Sequence, residues 1–283
     1  MGAFDKIAGG FSAFGQTLAS VAKIILLSRR PTVKRSAGEG DELVVLGNGP
    51  SLNTTVEESL PFLMARKRLA VNFAASTPLF MKLRPDYYVL ADPHFFVADT
   101  ENVRRLWDVL ADKVDWQMTL FLPVGAKGER VKRVARNGNV RICRYNLTPV
   151  EGFRGFRNAV YRLGWGMPRP RNVLIPSLML ALDAGFKTIY VAGADHSWTK
   201  TLSVDEENHV VSVQPHFYKD NDRETTRIRT EYLGYPLHKI LYSFYVAFRS
   251  YYVIRDYAAS LHATIWNITP GSFIDAFPRR KPK

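Results

Sequence analysis

The stretch Leu43-Val44-Val45-Leu46-Gly47-Asn48-Gly49-Pro50-Ser51-Leu52-Asn53 decides how this chain is read. Four consecutive apolar residues predict a short buried strand. Gly47 and Gly49 then free the backbone, and Pro50 stops it. A buried strand that opens into a glycine turn is how α/β proteins bring backbone N–H groups up to a phosphate. The spacing is G-x-G-P-S, which is neither the G-x-G-x-x-G of dinucleotide folds nor the G-x-x-x-x-G-K-S/T of P-loops. By itself the turn fits a phosphate cradle or a tight strand exit with no ligand.

Further strands follow. Arg68–Phe73 carries Asn72 near its C-terminal end, and Asp86–Ala91 runs into Asp92-Pro93. Thr119–Pro123 and Val140–Tyr145 are the next strands, Thr188–Ala192 ends at Gly193-Ala194-Asp195-His196, and Thr264–Asn267 is the last. Helices are expected over 56–66, 78–83, 97–115 (Trp107 and Leu110 inward), 174–184 with Gly185 as its cap, and 242–262 with Tyr245, Phe248 and Tyr252 as core aromatics. Residues 149–172, rich in Gly, Arg and Pro, read as a loop bordering a site. Ligands of open α/β sheets gather outside the carboxyl ends of the strands, where the 47–51 turn, Asn72 and Asp92 all fall.

The 283 residues suffice for one large α/β domain with appendages. A hydrophobic content of 46% against 23% charged implies a substantial core. One cysteine, Cys143, excludes an internal disulfide and fits a reducing compartment. The net charge of +13 favours anionic partners: nucleic acid, phosphorylated substrates or anionic lipid. No nucleic-acid-binding motif is present, so nucleic acid is not the expected partner. No run of some 18 apolar residues stands out, so nothing is expected to span a bilayer, and no cleavable leader is recognised.

Within residues 1–30, Phe4, Ile7, Phe11, Phe14, Leu18, Val21 and Ile25 recur at helical spacing, with Lys6, Lys23, Arg29 and Arg30 nearby. This amphipathic helix reads either as a layer lying in anionic headgroups or as a stripe packed on its own domain or on a second copy of the chain. Residues 31–42 read as a polar linker and 278–283 as a basic tail. The basic run Lys127, Arg130, Lys132, Arg133 and Arg136 reads as a solvated helix face or as a patch toward an anionic acceptor. Residues 196–235 are polar and lack a hydrophobic repeat, as a functional lid would.

Taken in order, LGNGPSL, Val71-Asn72-Phe73, ADPHFF at 91–96, ALDAGFKTIYVAGAD, His216-Phe217-Tyr218 and ITPGSFIDAF resemble the bacterial sialyltransferases that use CMP-sialic acid. They also resemble the wider group of flagellin-modifying and surface-polysaccharide glycosyltransferases. The similarity runs from about Leu43 to Phe277. It implies a Rossmann-like, GT-A-variant domain over 43–277 and an inverting transfer that needs no metal or cofactor, with a CMP-activated acidic sugar (sialic-acid-like or Kdo-like) as donor. The implied acceptor is a cell-surface glycan or its lipid-linked form. The implied nucleotide-sugar contacts are Gly47, Asn48, Gly49, Pro50, Ser51, Asn72, Asp92, Asn172, Gly193, Asp195 and Ser272, with His216, His196 and Tyr218 around the chemistry. Asp92 stands where that family has asparagine, and Arg171 and Asn172 match its arginine and serine imperfectly. The family's phosphate-binding tyrosines have no counterpart in His196, Ser197 and Trp198.

Glycosyl transfer needs a base for the acceptor hydroxyl and a stabiliser for the leaving phosphate. Of the six histidines, His216 is the first choice as base and His196 the second. His94 is a candidate lining residue, His209 is expected to be exposed, and His238 and His262 to be structural. Asp220-Asn221-Asp222 lies away from any strand end, and His196, His209 and His216 with Asp195 match no compact zinc signature, so no metal is expected. The alternatives are a Mg²⁺-dependent phosphotransferase or pyrophosphokinase on a related core, or a non-catalytic membrane or nucleic-acid binder. The expected location is cytoplasmic, peripheral on the inner face of the cytoplasmic membrane.

Overall fold

The computed structural model describes residues 3–38, 40–211 and 234–282, with side chains in the first helix from residue 10 on. Seven strands form one parallel sheet: β1 (Glu42–Leu46), β2 (Lys67–Val71), β3 (Tyr87–Val89), β4 (Met118–Pro123), β5 (Val140–Tyr145), β6 (Thr188–Ala192) and β9 (Thr264–Asn267). Their order is β5-β4-β3-β2-β1-β6-β9. The chain thus steps outward from β1 to β5, returns to the other side of β1, and continues outward. The strand order reverses between β1 and β6, where Val44 lies opposite Tyr190.

Helices cover both faces, which is why β1 is apolar at every position from 43 to 46: Leu43, Val44 and Val45 are wholly buried. One layer holds α2 (Ser51–Met64), α3 (Pro78–Leu83), α4 (His94–Val97), α5 (Glu101–Asp112) and α6 (Glu129–Ala135). There, Leu106, Trp107, Leu110 and Val134 pack on Tyr88, Leu120 and Leu122, while Leu52, Val56 and Leu63 pack on Val44, Leu46 and Ala192. The other layer holds α7 (Arg154–Arg162), α8 (Leu174–Asp183) and α9 (Leu237–Ser260), packed on Leu43, Val45, Val71, Val89 and Val191. Each large apolar side chain buried this way contributes about 1.5–3 kcal/mol. The result is a doubly wound, Rossmann-like α/β domain.

Several expectations change. Helix α2 starts at Ser51, directly after the glycine turn, and is kinked at Ser59 two residues before Pro61. The segment 149–172 is not all loop: α7 buries Val160 and Tyr161, and the Tyr161 hydroxyl donates to the Val150 carbonyl at 2.8 Å. In α9 the inward aromatics are Phe244, Tyr251 and Tyr257, whereas Tyr245 and Tyr252 face outward. Phe248, the third expected aromatic, is half-buried and packs against the core. The basic run of α6 is a solvated face of ion pairs: Arg133 holds Asp108 and Asp112, Arg130 holds Asp99, and Lys132 holds Glu129.

The first helix, α1 (Ala3–Leu27), also departs from the reading in which its stripe packs inward. Only Ser20 and Ile24 are buried among residues 10–27, and Phe11, Phe14, Leu18, Val21 and Ile25 face solvent. Its window Gly10–Leu27 is, by length and composition, long and apolar enough to cross a membrane, contrary to the expectation from sequence. The linker stretch is stitched to the domain: Thr32 N–H donates to the Arg144 carbonyl (2.9 Å), and Ser36 and Ala37 N–H donate to that of Ala184.

Candidate functional site

The ends of β1 and β6 meet at the point where the strand order reverses, and they are bonded to each other. Gly47 N–H donates to the Ala192 carbonyl and Gly49 N–H to the Gly193 carbonyl, both at 2.8 Å. A Cβ on Gly47 would lie 2.4 Å from the Gly193 carbonyl oxygen, and one on Gly49 would lie 1.8 Å from the Asp195 carboxylate. These two glycines are therefore required by the close approach of two strand exits, and their N–H groups are already spent. The phosphate-cradle reading of Gly47 and Gly49 is corrected accordingly: what the turn presents to a ligand is the Asn48 side chain and the Gly49-Pro50 surface.

Above this floor lies a cleft of about 490 Å³, within the range of small-molecule sites. Its wall takes Gly47–Pro50 from the end of β1, Asn72 from the end of β2, Asp92 and Pro93 after β3, and Leu147 after β5. Arg171 and Asn172 enter from the start of α8, and Gly193, Asp195, His196 and Trp198 from the end of β6. Ten of the residues expected at a site thus share one cavity. Ser51 stands behind it and donates from Oγ to the Asp195 carboxylate at 2.7 Å. Ser272 does not line it: buried, it donates to the Ala194 carbonyl and accepts from Ile274 N–H. His216 and Tyr218, like Asp220 and Asp222, lie outside the described residues. His94 is not among the lining residues; its N–H is held by the Asp92 carboxylate at 2.8 Å. His209 is exposed, and so are His238 and His262, expected to be structural.

Asn48 donates weakly to the Val71 carbonyl (3.5 Å), and its buried Oδ1 has no partner among the described residues. Asn72 adopts φ +51°, a left-handed conformation that asparagine tolerates better than most, and its carbonyl accepts the Tyr88 hydroxyl. Asn172 Oδ1 accepts three bonds: from Leu174 N–H (3.0 Å), Ile175 N–H (3.3 Å) and the Tyr251 hydroxyl (3.1 Å). It thereby caps α8 and consumes its first free donors.

His196 Nε2 lies 2.6 Å from the same Tyr251 oxygen. Asn172 Nδ2 lies 3.4 Å from the same ring nitrogen, so the imidazole is held by both the tyrosine and the asparagine. The ring is buried, with its centroid 4.2 Å from that of Trp198, and desolvation lowers its pKa to about 3. His196 is therefore a neutral, anchored imidazole and a weak base. Tyr251, also buried, is the residue that sequence reasoning missed: it reaches the site from α9, and nothing in its local pattern separates it from ordinary core.

Arg171 is the one lysine or arginine lining the cleft among the described residues, set against two carboxylates, Asp92 and Asp195. The excess positive charge of the chain thus resides elsewhere. Asp92 and Asp195 are the lining carboxylates, the groups a hard cation would favour. A second acidic cluster, Asp205, Glu207 and His209, sits on the exposed hairpin of β7 (Ser203–Val204) and β8 (Val210–Val211), where Asp205 accepts His209 N–H.

The fold and cleft define a doubly wound α/β protein with an open cleft at its topological switch point. The chain matches no protein-family model and no curated protein. Among solved structures, the MAf glycosyltransferase of Magnetospirillum magneticum AMB-1 is similar with a TM-score of 0.48 and 12% identity, over 94% of this chain and 38% of that one. This chain thus spans under two-fifths of that protein's length, and a likeness at this level assigns no activity.

Proposed function

We propose that the cleft binds a nucleotide-activated sugar and that the protein is an inverting glycosyltransferase, with a CMP-activated acidic sugar as donor and a glycan or lipid-linked glycan as acceptor. The observation that carries this reading is the convergence of residues from the ends of five strands and the start of α8 on one cleft at the switch point. A site of this size and makeup suits a nucleotide with one attached sugar. Asn48 Oδ1, unsatisfied within the described residues, suits a ligand N–H or O–H. Arg171 suits the leaving phosphate, whose charge grows as the sugar departs.

In the transfer, the acceptor oxygen bonds to the anomeric carbon while the bond from that carbon to the phosphate oxygen breaks. The acceptor proton passes to a base, a role assigned to His216. His196 is given a positioning role: neutral and tied to Tyr251, it braces Trp198 and the Asn172 cap. No metal is required in this reading. The second reading, Mg²⁺-dependent phosphotransfer, is favoured by one observation, the two carboxylates Asp92 and Asp195 lining the same cleft.

Thermal denaturation with CMP, CDP, UDP, GDP or ATP, each with and without Mg²⁺, separates these. CMP at a hundredfold its Kd, without metal, is expected to add about 2.7 kcal/mol, a Tm rise of roughly 5 °C. Stabilisation by ATP or a nucleoside diphosphate only with Mg²⁺ moves the phosphotransfer reading to the front, and no response to any nucleotide overturns both. If CMP binds, His216→Ala is expected to lower transfer at least ~100-fold while leaving the CMP shift intact.

A further inference from the structure

We propose that α1 is an in-plane docking element for an anionic lipid bilayer, with the ends of α7 completing the docking face. This does not rest on the proposed activity. Residues 7–22 carry no charged side chain. On the side of α1 turned away from the domain, Phe11, Phe14, Leu18, Val21 and Ile25 form one exposed apolar ridge, with Phe11 75% and Ile25 73% exposed. Flanking α7, Phe153, Leu163 and Trp165 are also exposed, and they lie along the same helix. Phe153 N–H donates to Thr17 Oγ1 (3.1 Å), and Ser28 Oγ donates to the Trp165 carbonyl (2.6 Å). The chain on either side of α7 thus meets α1 and adds exposed large apolar side chains next to its ridge, and exposed apolar surface of this kind marks an interaction site.

The surrounding charge identifies the occupant. Residues 1–35 contain six cations and one acid. Arg29, Arg30, Arg154 and Arg162 are exposed, and none has an ion-pair partner among the described residues. The arginines of α6, by contrast, are paired with Asp99, Asp108 and Asp112. An apolar ridge with a tryptophan at its margin and unpaired arginines beside it matches the layering of a bilayer surface, acyl chains below and anionic headgroups around. A second copy of the chain would bring the same uncompensated cations.

The attachment of α1 fixes its orientation. Ser20 Oγ donates to the Glu151 carbonyl (3.0 Å) and accepts Glu151 N–H (2.9 Å), and Asn146 brackets Arg29 by accepting its N–H and donating to its carbonyl. A spanning helix would have to break these bonds and expose Ile24. Lying in the plane leaves them intact.

The test is sedimentation of the full chain with vesicles of phosphatidylcholine alone or mixed with phosphatidylglycerol. Binding is expected only to the anionic vesicles, weakened by salt and released by alkaline carbonate. Leu18→Asp/Ile25→Asp is expected to weaken it at least ~10-fold at unchanged Tm, since neither side chain packs on the domain. Arg29→Glu/Arg30→Glu, which leaves the ridge intact, is expected to weaken it about 10-fold and flatten its salt dependence. Equal sedimentation of wild type and both variants overturns the proposal. So does carbonate-resistant insertion, which would mean a spanning helix. A vesicle-indifferent dimer split by Leu18→Asp/Ile25→Asp overturns it in favour of self-association.

Discussion

Helices α1 and α8 are both apolar, yet the fold uses them in opposite ways. All nine residues from Leu174 to Leu182 of α8 are buried between the sheet and α9. Along residues 10–27 of α1 only Ser20 and Ile24 are buried, while Phe11, Phe14, Leu18, Val21 and Ile25 face outward. The difference lies in what each helix connects. Helix α8 lies in the return crossover from β5 to β6: its C-terminal end leads directly into β6, and its start is held by Asn172 and Tyr251. Helix α1 is appended at the side and held by Thr17, Ser20 and Ser28, whose hydroxyls bond to the chain between 148 and 165. Apolar composition specifies burial only where the topology supplies a surface, and polar stitches reveal which side of a helix faces the protein.

The sharpest way to break this comparison is to place one carboxylate on each helix. Leu178→Asp on α8 is expected to cost more than about 4 kcal/mol and to leave no cooperative urea transition, because its charge has no partner in the core. The next largest effect concerns the anchor of α8, where Asn172 is held through Tyr251 by a histidine buried in its neutral form. His196 titrates near 6.5 when unfolded and about 3 when folded, so the unfolded chain binds the extra proton between those values. Its contribution is present in full above pH 6.5 and is lost as pH falls toward 3. The urea midpoint is expected to drop by the equivalent of about 4 kcal/mol over that window, and His196→Gln to flatten the drop. On α1 the effects shrink: Ser20→Ala, which strips two bonds at a buried position, is expected to cost about 1 kcal/mol. Leu18→Asp, on the outer face, is expected to stay within about 0.5 kcal/mol in the same denaturation assay.

Much of the sheet was legible because its strands are short apolar or β-branched runs punctuated by glycine and proline. Val140–Tyr145, Thr188–Ala192 and Thr264–Asn267 fall where their residues place them. Helix α7 was not, since Arg154, Gly155 and Arg157 hide an inward face of only Phe156, Val160 and Tyr161. In the cleft, Asn48, Asn72, Asp92 and Asp195 were legible because strand C-termini are where α/β sheets collect ligand contacts. The meaning of Gly47 and Gly49 was not. A sequence shows that a backbone is free of side chains, but not that the neighbour closing in is Gly193 instead of a phosphate. Tyr251 was hidden for a different reason, since its partnership with Asn172 and His196 spans 79 and 55 residues.

The polar linker and the basic tail that flank the domain also do something for the sheet itself. At one edge, Thr32 N–H bonds to the Arg144 carbonyl of β5, and Thr32 Oγ1 accepts Arg144 N–H. At the other, residues 278–280 run beside β9: Asn267 N–H donates to the Pro278 carbonyl and Arg280 N–H to that of Asn267, with the Arg280 guanidinium over Trp266. Each outermost strand thus meets a short, charged, proline-containing segment that closes part of its open ladder. Segments that read as connection and tail act as end-stops, denying another molecule's strand a template on which to add.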